Sequence, residues 1–120
     1  MIPAVWILYR PTDERRCRQL RLKAAEYQGR LNLREIELLN GNPFLSLEHI
    51  KYNRLRILMI ERLLADGKVE LRALYDELIK KDELVPSECK LYLASFLVVR
   101  DYVLTGGQNI SGGTGLPNVG

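Results

Sequence analysis

Histidine occurs once and cysteine twice in this 120-residue chain, so the side chains that build zinc sites and disulfide frameworks are nearly missing. Cys17 and Cys89 lie far apart and read as free thiols of a reducing compartment. His49, Cys17 and Cys89 are each isolated in sequence, so no metal site and no cofactor is expected.

Long apolar runs are also lacking. Arg54, Arg56, Glu61 and Arg62 interrupt the most hydrophobic segment, which excludes the ~20-residue apolar stretch of a membrane helix. The N-terminal run Ile2 to Tyr9 is short, contains Pro3, and has neither a basic start nor a small-residue cleavage site. It reads as core rather than as a signal, and the expectation is a soluble, cytoplasmic protein.

Catalytic patterns are sparse as well. Cys17 falls on an apolar stripe, where packing is its commoner role. Cys89 lies in the first turn after Pro86, where a helix dipole can activate a thiol, but nothing resembling a nucleophile elbow surrounds either cysteine. The glycine-rich segment after Thr105 lacks the Lys-Ser/Thr ending of a phosphate-binding loop and leads into no helix. With no paired carboxylates or catalytic dyad, the chain is not expected to be an enzyme.

What is present is enough for one packed core: 47% of residues are apolar and 28% charged, with a net charge of +3. Residues 1–105 form a single expected domain, mainly α with four to five helices and a small two-stranded sheet, and 106–120 a flexible tail. Val5 to Tyr9 reads as a strand, and the Tyr102 to Thr105 segment is its candidate partner.

Thr12 offers an N-cap to a helix carrying Cys17, Leu20, Ala24, Tyr27 and Leu31 on one stripe. Gly29 weakens its end; Leu33, Ile36 and Leu38 or Leu39 continue a helical pattern, and a loop is placed at about 40–45. Ser46 caps a central helix that stops at Asp66-Gly67, apolar on nearly every side. A brief Lys68-Val69 connection precedes a helix from Leu71, and Pro86 opens a last helix, Leu91 to Val99, that is apolar almost all round.

The segment from Arg10 to Arg30 holds seven basic residues against Asp13, Glu14 and Glu26. Arg16, Lys23 and Arg30 recur every seven residues and so line up along the helix, spaced to reach successive phosphates. Arg15 and Arg18 add guanidinium groups that fork onto phosphate oxygens.

From residue 46 onward the order is a long helix, an extended Lys68-Val69-Glu70, a helix, a turn at Leu84-Val85-Pro86, another helix and then Tyr102 to Gly107. This order resembles a winged helix-turn-helix. The resemblance implies binding of duplex DNA, with Ser87 and Lys90 near the bases where the third helix starts. The expected function is therefore non-enzymatic, regulator-type nucleic-acid binding as a homo-oligomer, a dimer, through Arg15, Arg16, Arg18, Lys23, Arg30, Ser87 and Lys90. The alternative is an oligomeric assembly or adaptor protein that docks through the apolar last helix at Leu93, Phe96 and Leu97, with no membrane partner in either case.

Overall fold

The structure, a computed structural model, describes residues 2, 6–41 and 43–106, except for the side chains of 43–46. Val5 and residues 107–120 lie outside the described residues.

Strand β1 (Ile7–Tyr9) leads into helix α1 (Glu14–Leu39). Asp13, not Thr12, caps the helix: its backbone is extended and its carboxylate accepts from the Arg15 N–H at 2.9 Å. Gly29 does not end α1. Glycine costs a helix interior roughly 1 kcal/mol relative to alanine, whereas fully burying a large apolar side chain contributes ~1.5–3 kcal/mol. Leu20, Tyr27 and Leu31 straddle the glycine and are all in the core, so packing carries the helix past it.

The turn after α1 is tighter than the expected loop. Asn40 donates to the Ile36 carbonyl at 3.0 Å, Gly41 adopts φ 91°, and helix α2 (Pro43–Asp66) starts at a proline, whose missing N–H costs nothing in a first turn. Ser46 therefore lies inside α2. Ile50, Leu55, Ile57, Met59, Ile60 and Leu63 are buried on several of its sides, which makes α2 the central helix. Gly67, at φ 81°, closes it by donating to the Leu63 carbonyl at 2.9 Å.

Strand β2 (Lys68–Glu70) pairs antiparallel with β1, with Leu8 opposite Val69 and Tyr9 opposite Lys68. Leu8 and Val69 are buried while Ile7 and Tyr9 face outward, the period-2 pattern of a sheet with one covered face. The two-stranded sheet thus exists, but Tyr102 to Thr105 is not its second strand.

Those residues are the last turns of helix α4 (Cys89–Thr105). Tyr92, Phe96, Val99 and Val103 are buried at helical spacing, so continuing that stripe outweighs the β-propensity of a Tyr-Val pair. Gly106 at φ 68° ends the helix by donating to the Tyr102 carbonyl at 2.8 Å.

Helix α3 (Leu71–Lys80) buries Leu71, Leu74 and Leu78, and a 3-10 turn at Pro86–Glu88 precedes α4. The Tyr92 hydroxyl donates to the Leu71 carbonyl at 2.5 Å, and Trp6 stacks on Phe96 with centroids 6.2 Å apart. Sheet, α3 and α4 are thereby fixed against α2. The fold is mainly helical, with four α-helices and one small antiparallel sheet among the described residues.

Candidate interaction surfaces

Arg16, Lys23 and Arg30 do line up along α1, but on its flank beside neighbouring helices. Arg16 is half-buried, and its Nη2 donates to the Val103 carbonyl at the end of α4. Lys23 sits 2.7 Å from Glu26, with its ammonium 5.3 Å from the centroid of Tyr102 and 5.5 Å from that of Tyr27. Arg30 lies 3.6 Å from the same Glu26, its guanidinium 5.4 Å from the Tyr27 ring. The Arg56 guanidinium, from α2, fills the space between Tyr27 and Tyr52, at 5.3 and 4.5 Å. These cations over aromatic faces form a column that ties α4, α1 and α2 together. The hydrogen bond from Lys23, helped by the charges of Lys23 and Arg30, holds the Glu26 carboxyl below its ordinary range.

Arg15 and Arg18 behave differently. Both are exposed on the outer side of α1, and no carboxylate among the described residues pairs with either. Ser87 and Lys90 are exposed too, at the start of α4. Between them Glu88 forms an ion pair with Lys51 and accepts from the Val85 N–H at 3.1 Å; the pairing with Lys51 keeps its carboxyl below the usual range.

The predicted nucleic-acid contacts are therefore not one site. Arg16 grips the C-terminal end of α4, whereas Ser87 and Lys90 lie at the N-terminal end of the same 17-residue helix. At 1.5 Å per residue the 13 residues from Lys90 to Val103 separate the two groups by about 20 Å.

The predicted interface residues divide as well. Phe96 is buried within the monomer against Trp6 and is not available to a partner, and Leu93 is half-buried. Leu97 remains 39% exposed and shares the outer stripe of α4 with Val98 and Leu104.

A larger apolar surface lies where sequence reasoning saw a basic helix. Leu22, Leu33, Ile36 and Leu39 of α1 are 66%, 63%, 54% and 86% exposed. Leu33, Ile36 and Leu38 or Leu39 carry the helical pattern that the sequence shows beyond Gly29. Because α1 is uninterrupted, the phase of Leu20, Tyr27 and Leu31 carries on to Leu38, which packs on the core, and turns Leu33 and Ile36 to the far side. The signal was available in the seven-residue spacing of Leu22, Gly29 and Ile36.

A cleft of about 690 Å³ runs between α1, α2 and the segment before α4, lined among others by Lys51, Arg54, Glu61, Glu83 and Glu88. Its cations are already paired: Lys51 with Glu88, and Arg54 with Glu35 at 3.5 Å. Cys17 is buried and its thiol donates to the Pro11 carbonyl at 3.2 Å, a packing role. Among the described residues no three His, Cys, Asp or Glu side chains gather as metal ligands, and no helix is long and apolar enough to cross a membrane.

The chain matches no family model, no curated protein and no solved structure.

Proposed function

We propose that this chain is a non-enzymatic assembly protein whose working form is an oligomer built through helix faces that the folded monomer leaves apolar. The observation that carries this reading is the outer face of α1, where Leu22, Leu33 and Ile36 stay more than half exposed while the opposite face fills the core. Isolated exposed leucines are ordinary, but several on one side of one long helix make an apolar stripe of the kind that partners cover. The outer stripe of α4, with Leu97, Val98 and Leu104, is the lesser surface. The test is the solution mass of the full chain across a wide concentration range. A rise to a defined oligomer supports the reading, and a monomer at every concentration overturns it.

Nucleic-acid binding is the second reading. It is favoured by the unpaired guanidinium groups of Arg15 and Arg18 and by the exposure of Ser87 and Lys90 where α4 begins, in the order α2, β2, α3, α4 that resembles a helix-turn-helix. Binding to labelled duplex DNA that weakens steeply with salt, and weakens further in Arg15→Ala/Arg18→Ala, supports it. Its absence at low salt removes it.

A further inference from the structure

We infer that the partner covering α1 is a second copy of this chain, its α1 lying antiparallel across the first with the two-fold axis near Gly29. The inference rests on the assembly reading above and names its occupant.

Three observations on α1 agree. The first is the apolar seam. Leu22, Gly29 and Ile36 recur every seven residues, two helical turns apart, with Ala25 and Leu33 between them on the same exposed side. A two-fold axis at Gly29 sets Leu22 of one copy against Ile36 of the other, and Ala25 against Leu33. The same patch is then used on both copies, as a closed dimer requires.

The second is the glycine itself. Gly29 stands in the interior of a 26-residue helix, exposed, and a Cβ placed on it would meet nothing within 4 Å. Glycine weakens a helix interior relative to alanine, and nothing inside the chain requires one here. A crossing helix explains it, because two facing glycines let the axes approach closely at the point of contact.

The third is charge. On one flank of the seam lie Lys23, Glu26, Arg30 and Glu37. Antiparallel helices set like flank against like flank in reversed order, so Glu26 of each copy meets Arg30 of the other, with the two Arg30 side chains also near the axis. The other flank carries Gln28 and Asn32, which bond each other at 3.1 Å, and the Arg21–Glu14 ion pair at 3.2 Å. Exposed ion pairs of this kind add little affinity but choose orientation.

The test uses the full chain, with self-association followed by sedimentation and folding checked by circular dichroism. Leu33→Lys/Ile36→Lys, both at exposed positions, is expected to stay folded and to weaken association on the order of 100-fold or more. Glu26→Arg and Arg30→Glu each place like charges at both ends of the crossing and are expected to loosen self-association roughly tenfold. When the two single variants are mixed, every facing pair is again opposite in charge, so a heterodimer is expected to form in preference to either homodimer. The double variant Glu26→Arg/Arg30→Glu is expected to recover self-association. Several results would overturn the inference. Equal pairing in the mixture defeats the antiparallel register. A dimer untouched by Leu33→Lys/Ile36→Lys but broken by Leu104→Lys moves the interface to α4, leaving the assembly reading in place. A monomer at every concentration defeats both.

Discussion

Arg16, in the first turns of α1, donates from its guanidinium to the backbone carbonyl of Val103, in the last turn of α4, across 87 residues of sequence. The last carbonyls of a helix have no partner within it, and a guanidinium there satisfies one and complements the negative end of the helix dipole. A residue expected to reach phosphate is thus a clamp between α1 and α4.

Arg16→Ala is expected to lower stability by about 1–2 kcal/mol, since it removes a charge-assisted bond at a partly buried helix end. The loss should be local, with faster hydrogen exchange of the amides from Tyr102 to Gly106. Unchanged urea midpoint and unchanged exchange would show that the contact does not matter.

Tyr92→Phe tests the link between α4 and α3. The ring is fully buried, and burial pushes its phenol upward in pKa, so the hydroxyl remains a donor to the Leu71 carbonyl throughout the ordinary pH range. Removing only the oxygen leaves a buried carbonyl without that donor, and a loss of about 1–2 kcal/mol in chemical denaturation is expected.

The acid limb of stability should carry the signature of Glu77. Arg62 holds its carboxylate with bonds of 3.1 and 2.8 Å, and Lys81 adds a third at 3.2 Å. The Arg62 fork, ahead of Lys81, lowers the carboxyl from its ordinary value of 4.5 to about 2. A carboxyl whose folded pKa is depressed contributes stability that is complete above its unfolded value and is lost as pH falls through the folded one. The window is therefore from about pH 4.5 down to about 2. The pair is partly solvated, so screening limits the contribution to about 1 kcal/mol. Glu77→Gln should be less stable than wild type at neutral pH and should lose less stability across that window. Identical acid limbs would contradict the assignment.

Much of the helical framework was legible in the sequence. The stripe from Cys17 to Leu31, the stop at Asp66-Gly67 and the helix from Leu71 follow from spacing and glycine chemistry alone. Strand β1 was legible as a strand but not its partner, because pairing is decided by what the Gly67 turn brings alongside, and three residues at Lys68 to Glu70 carry little pattern. Tyr102 to Thr105 misled for a related reason: a β-branched residue beside an aromatic suits a strand locally, and only the buried stripe running through Val103 shows that the helix continues. The site suffered most. A helical period shows which residues share a side of α1, but not which side meets a neighbour, so Arg16, Lys23 and Arg30 read as outward when they sit against Val103, Tyr102 and Tyr27.

Gly29→Ala should act with opposite signs on two properties. In dilute, monomeric protein the alanine meets open space and restores helix propensity, so a gain of roughly 0.5–1 kcal/mol is expected. In the dimer the two methyl groups face each other at the crossing, and association should weaken. A stabilised monomer whose association is undiminished would remove the close approach at Gly29.

The measurement that tests the central claim most directly is sedimentation equilibrium of the full chain beside Leu33→Lys/Ile36→Lys. The account predicts a concentration-dependent rise to twice the monomer mass for wild type and a monomer for the variant at the same concentrations. A wild-type chain that stays monomeric throughout would contradict it.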